Sequence, residues 1–174
     1  MTTTVTPTQD AIFTALRSFI LGLITCPVER GLQNGSAMPD EPFILMTEIL
    51  QTRLSTNVAS YNDPVSTVGN KGVMQPTKYD MQVDCYGPLS SDWAKILVTM
   101  FNDGYAADQM GPNIVPLYAD DARQAALVNG EENYEARWIF TASMQYNPVV
   151  TVSQQFAGAL KANLIDVDVT YPLI

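Results

Sequence analysis

Residues 79–87 read YDMQVDCYG, and the spacing of polar and apolar side chains along them decides the fold. Met81, Val83 and Cys85 alternate with Asp80, Gln82 and Asp84, the period of a β-strand with one buried and one polar face. Gly87 and Pro88 stop the strand. Two carboxylates on one side pose a question: an acid and a base of an active site, or the polar face of a sheet in a structural protein.

Working outward, SSDWAKILVTMFND follows the strand, with Ser90 as cap and Asp92 in the favourable first turn of a helix. Trp93, Ile96, Leu97, Met100 and Phe101 form its expected buried stripe, and Gly104 its end. Before the strand, Asn57 to Lys78 is rich in Gly and Pro and poor in large apolar residues, and reads as an exposed β-hairpin-like arm over 57–78. FILMTEILQTRL (43–54) predicts a strand with apolar residues on both faces. Near the start, residues 1–9 read as a tail. Thr6, Pro7 and Gln9 there suggest a capping box ahead of a helix whose stripe is Ile12, Phe13, Leu16, Phe19, Ile20, Leu23 and Ile24.

On the other side, DQMGPNIVPLYADDAR reads as irregular, and AALVNGEENYEARWIFTASMQY as a hairpin turning at Asn129-Gly130. NLIDVDVTY (163–171) is a final alternating strand with Asp166 and Asp168 on its polar face. The order predicts an α+β fold: a mainly antiparallel sheet, two helices packed on one face, and a long arm, in a single domain spanning 1–174.

Composition narrows the function. At 174 residues and 47 % hydrophobic, the chain suits one folded domain. Eighteen acids against nine Lys and Arg give a net charge of −9, with no basic cluster to grip nucleic acid. An acidic surface lets a polyanion pass without sticking. No histidine is present, which removes the commonest general base and every Ser-His or Cys-His nucleophile pair. Two cysteines far apart, Cys26 and Cys85, suit a reducing cytoplasm, with a single bridge between them left open. AIFTALRSFILGLITC is too short, and too interrupted by Arg17, to span a bilayer, so a soluble product without membrane contact is expected.

The chemical candidates are thin. Asp80 with Asp84 and Asp166 with Asp168 could serve a small hydrolase, but nothing supplies a partner base. Asp120-Asp121 lacks the alternating ligands of a calcium loop, and NGSAMPD and VGNKG lack phosphate-cradling spacing. No cofactor or metal is expected. A monomeric acidic mimic of DNA is a further reading of the charge.

Several stretches resemble the tail terminators, a family of tailed-bacteriophage neck proteins: PDEPFILMTEILQTRLSTN (39–57), KYDMQVDCYGPLSSDWAKI (78–96), PLYADDARQ (116–124), NGEENYEARW (129–138), QYNPVV (145–150) and LIDVDVTYP (164–172). The resemblance implies a hexameric ring that caps the tail tube, halts its growth and docks the tail on the head connector, leaving a channel for genomic DNA. Its implied partners are further copies of itself, the tube protein, the sheath protein of a contractile tail, and head-side neck proteins. A head-side connector or stopper is the neighbouring reading. The implied place is the virion neck, after assembly in the host cytoplasm, and no catalytic residues carry over. The expected assembly interface comprises Arg53, Tyr61, Val73, Met74, Asp80, Gln82, Asp84, Asp166 and Asp168.

Overall fold

The computed structural model of the chain describes residues 3–33, 39–62, 68–125, 127–128 and 134–155. In chain order its elements are β1 (Thr4–Thr6), α1 (Gln9–Leu23), β2 (Val28–Arg30), β3 (Phe43–Arg53), β4 (Val58–Asn62), β5 (Val68–Met74) and β6 (Thr77–Tyr86). Then follow α2 (Ser90–Phe101), α3 (Gly104–Met110), β7 (Ile114–Ala119), β8 (Arg123–Gln124), β9 (Leu127–Val128), β10 (Tyr134–Glu135), β11 (Arg137–Tyr146) and β12 (Val149–Gln155). The class is α+β, with strands mostly antiparallel.

The alternation of β6 holds in three dimensions. Tyr79, Met81, Val83 and Cys85 are all at 0 % exposure in one core with Ile44 and Met46 of β3 and Phe140, Ala142 and Met144 of β11. The main sheet runs β2-β3-β6-β11-β7, with β8 also on β11. Only β2–β3 is parallel among these pairs. Helices cover that face. α1 contributes Ile12, Leu16, Phe19 and Ile20, α2 Ala94, Leu97 and Phe101, and α3 Ala106 and Met110. Phe19 meets Phe101 edge to face, centroids 5.6 Å apart. Burying each such side chain is worth about 1.5–3 kcal/mol.

Three local expectations change. A third short helix, α3, starts at Gly104, the residue expected to end the helix before it, and runs into the stretch read as irregular, which goes on to form β7 and the start of β8. Asp103 caps α3, its carboxylate accepting from the Tyr105 amide at 3.0 Å. The capping box at Thr6 does not form, because Thr6 is drawn into β1; Thr8 is the cap of α1 and makes no side-chain cap bond. Gln9 donates instead to Glu48 across the helix–sheet junction. In α2, Leu89 holds the cap position and Ser90 is buried within the helix. Of its expected stripe, Leu97 and Phe101 are buried and Trp93 and Met100 pack partly buried against the core; Ala94 joins them, and Ile96 is 42 % exposed. The predicted turn at Asn129-Gly130 and the strand 163–171 lie outside the described residues; β9 and β10 pair antiparallel.

The arm is an extension of the main sheet. Every β6–β11 pair, from Tyr86↔Arg137 to Thr77↔Tyr146, has residue numbers summing to 223. Every β5–β12 pair, from Met74↔Val149 to Val68↔Gln155, also sums to 223. One ribbon therefore crosses both sheets in one register. Pro76 and Pro148 sit at the crossing, where the missing N–H interrupts the ladder. The Gln75 amide still donates to the Pro148 carbonyl at 3.0 Å. On the outer side, β3–β6 pairs step from a sum of 129 to 130 around Ile49, an extra residue in the strand, and β4–β5 pairs sum to 132. The second sheet runs β1-β12-β5-β4, so the expected hairpin-like arm is two of its four strands.

Leu97→Ala should cost about 2–5 kcal/mol in urea unfolding, because it opens a cavity in the core. Ile96→Ala, one residue away, should stay within about 0.5 kcal/mol. Equal losses would mean that α2 is rotated relative to this packing.

Candidate assembly surface

β6 carries Asp80, Gln82 and Asp84 on the face opposite the helices, as alternation requires. Register brings Ser143 opposite Asp80 and Ile139 opposite Asp84 on β11. Ser143 Oγ donates to Asp80 Oδ1 at 2.6 Å, and Lys78 Nζ lies 2.9 Å from Asp80 Oδ2. Gln82 Nε2 donates to both oxygens of Asp84 at 3.0 and 2.9 Å. Arg137 reaches Asp84 Oδ1 with Nε at 3.0 Å and its terminal nitrogen at 2.7 Å.

The sequence expectation of outward, wet carboxylates is refined here. Asp84 is 1 % exposed and Asp80 8 %. Each is held by a cation and a neutral donor, which is what a buried carboxylate needs in low dielectric. Arg137 also lies over the Tyr86 ring at 5.5 Å, and Tyr86 stacks on Phe43 with centroids 4.4 Å apart. At the other end Lys78 lies 5.8 Å from the Tyr118 ring centroid. The result is a continuous polar and aromatic band across β3, β6, β11 and β7. Both carboxylates have their oxygens occupied by side chains of the same chain, an arrangement that orders a sheet and offers no free base to a substrate.

A second network sits at the α1–β3 junction. Tyr79 Oη donates to Glu48 Oε2 at 2.8 Å, Gln51 Nε2 to Glu48 Oε1 at 2.7 Å, and Tyr146 Oη to Gln51 Oε1 at 2.8 Å. Burial alone would raise the Glu48 pKa, but the bonds from Gln51, Tyr79 and Gln9 and the charge of Arg30 outweigh it and lower the pKa. Next to it an open cleft of about 330 Å³ is lined by Gln9, Phe13, Arg30, Leu32, Thr47 and Glu48. Arg30 lies 3.7 Å from the Phe13 ring centroid and is paired with Asp10 at 2.8 Å, so its charge is already engaged. Among the described residues no group of His, Cys, Asp and Glu is placed to hold a metal ion, and no helix is long and apolar enough to cross a membrane.

Of the other expected interface residues, Arg53 ends β3 and is exposed, Tyr61 lies on β4, and Val73 and Met74 lie on β5. Opposed residues of an antiparallel ladder share a face. The pairs Val73↔Ala59 and Lys71↔Tyr61 therefore put Val73 and Tyr61 together, and Met74 on the reverse face with Val58. Asp166 and Asp168 lie outside the described residues. Arg137, Ser143, Lys78 and Glu48 were not anticipated. Alternation with Trp138 could have placed Arg137 on the polar face, but only the register reveals Asp84 as its partner.

Both cysteines are free thiols. Burial pushes Cys85 up to about 12, with the neighbouring Cys26 and Asp84 adding to the rise, and burial also raises Tyr79, Tyr86 and Tyr146.

A model of the family described as phage neck terminator protein matches residues 10–171 of the chain. No curated protein matches it. The chain belongs to the phage neck terminator family.

Arg137→Ala should destabilise by about 3–5 kcal/mol, since it leaves the buried Asp84 carboxylate without its cation. Asp84→Asn should cost less, about 1–3 kcal/mol, because Arg137, 24 % exposed, keeps water as a partner. The reverse order in urea unfolding would contradict the burial asymmetry.

The pH dependence follows from the shifted groups. Cys85 and the three tyrosines are neutral when protonated, and their folded pKa values exceed the ordinary ones of 9.0 and 10.0. Their contribution is complete below those values and is lost as pH rises through the folded ones. Glu48, lowered from 4.5, contributes above that value and loses it as pH falls. Unfolding free energy should therefore be flat between about pH 5 and 9 and decline on both sides. A maximum above pH 10, in urea titrations across pH, would contradict the tyrosine and thiol environments.

Proposed function

We propose that this phage neck structural protein is a tail terminator: a hexameric ring at the head-proximal end of the tail tube that stops tube growth and joins the tail to the head connector. The observation that carries the reading is the family match over almost the whole chain. Two features of the molecule agree with it. A four-stranded sheet projects from the core without a buried residue among those described, which is a surface shaped for partners. The net charge of −9 makes the surface repellent to DNA, so a genome crosses the ring without being held.

In this reading the whole of 1–174 acts as one domain, the arm at 57–78 included. The ring meets further copies of itself, the tube protein, the sheath protein of a contractile tail and the head-side neck proteins. It resides in the virion neck after assembly in the host cytoplasm. It performs no catalysis; its carboxylates at Asp80 and Asp84 order the sheet that carries the contacts.

Native mass spectrometry of tails extracted from virions should give copy numbers in multiples of six for this chain. Any other stoichiometry excludes the hexameric ring. Location at the head-side connector in electron micrographs of labelled particles would replace the terminator with a stopper.

Duplex DNA of random sequence should bind with a dissociation constant weaker than about a micromolar at physiological salt, because so few cations are available to displace counterions. Tighter binding, measured by fluorescence anisotropy, would rule out a non-adhesive channel.

A further inference from the structure

The sheet β1-β12-β5-β4 is incomplete as it stands. Every described residue of β1 and β4 is exposed, and none described in β5 or β12 is buried. One face carries an apolar row across all four strands: Val5 opposite Val150, Val150 opposite Val73, and Val73 opposite Ala59. Val5 is 45 % exposed, Val150 39 % and, beside them, Tyr61 56 %. Among the described residues β4 pairs only with β5, so its outer edge is a template for further pairing.

Charge identifies the occupant. Residues 57–78 hold Lys71, Lys78 and Asp63, a net +1 within a chain of −9, which leaves −10 on the remainder (−9 minus +1), and Arg53 stands just before them at the end of β3. The arm thus carries a charge opposite in sign to that of the rest of the chain. On that body, exposed apolar side chains gather on β7, where Val115, Leu117 and Tyr118 are all 40 % exposed or more, with exposed Asp121 just beyond the strand. β7 is the far edge of the main sheet from β2.

We propose that the arm sheet docks on a second copy of this chain, its Val5–Val150–Val73 face and β4 edge against the β7 strip, with Arg53 and Lys71 meeting the acidic flank at Asp121. Donor and acceptor surfaces differ, so the contact is head-to-tail and closes into a ring when the rotation per step allows. This rests on the ring reading above and names the surfaces that would close it.

The test is sedimentation velocity of the purified full-length chain over a wide range of concentration and salt. Wild type should self-associate, more weakly as salt rises. Arg53→Glu/Lys71→Glu should raise the dissociation constant at least about tenfold, as reversal of complementary charges does. Adding Asp121→Lys should restore part of the affinity, whereas Arg123→Glu, which makes half that charge change beside Asp121, should not mimic the loss. Unchanged circular dichroism confirms that each variant is folded. A wild type that stays monomeric throughout, or arm variants that associate as wild type does, overturns the proposal. So does loss of binding to purified tail tube with self-association intact, which would make the tube protein the occupant. In each of these cases the copy number on extracted tails tests the ring separately.

Discussion

The pairing of β6 with β11 is the constraint on which the rest depends. It is the centre of the main sheet, and its register continues unbroken through the crossing into β5 and β12. A slip of one residue would turn Met81 and Val83 outward and press Asp80 and Asp84 into the hydrocarbon core. The same slip would dissolve Asp80–Ser143 and Asp84–Arg137 together. Burial on one face and ion pairing on the other thus select the same alignment, and the arm inherits it.

The two faces contribute differently. The helix-covered face supplies most of the stabilisation, through area removed from water by α1, α2 and α3. The polar face supplies specificity: a buried carboxylate tolerates few registers, because each wrong one leaves a charge unpaired. Buried ion pairs are often no more stabilising than hydrocarbon of equal size, so their presence here points to alignment rather than to strength. A fixed register is a fixed position for every edge of the sheet.

Neck structural proteins must hold neighbours, and the molecule is built accordingly. Its compact half is closed by three helices, while its projecting half has no core among the described residues. Only a core elsewhere, continuous through the ribbon, lets such a sheet keep its shape when alone. The interruption at Pro76 and Pro148 separates the halves without breaking their common register.

The sequence by itself determined a good deal. Period-two alternation in YDMQVDCY and period-3.6 stripes in α1 and α2 are local properties, so the class, the central strand and both long helices were legible, and the excess of acid over base argued against a nucleic-acid grip. The hairpin character of 57–78 was equally visible from its Gly and Pro. Helix ends were not: Thr6 is a good cap in isolation, but the tertiary pairing of β1 with β12 outcompetes it. Nor was the burial of Asp80 and Asp84, since alternation tells which side a residue takes and not what stands there. Their partners lie 63 and 53 residues away, and only the folded register brings Ser143 and Arg137 against them. Local pattern is written residue by residue along the chain; long-range register is a cooperative choice of the whole sheet, and that choice alone turned two apparent surface acids into the buried pins of the fold.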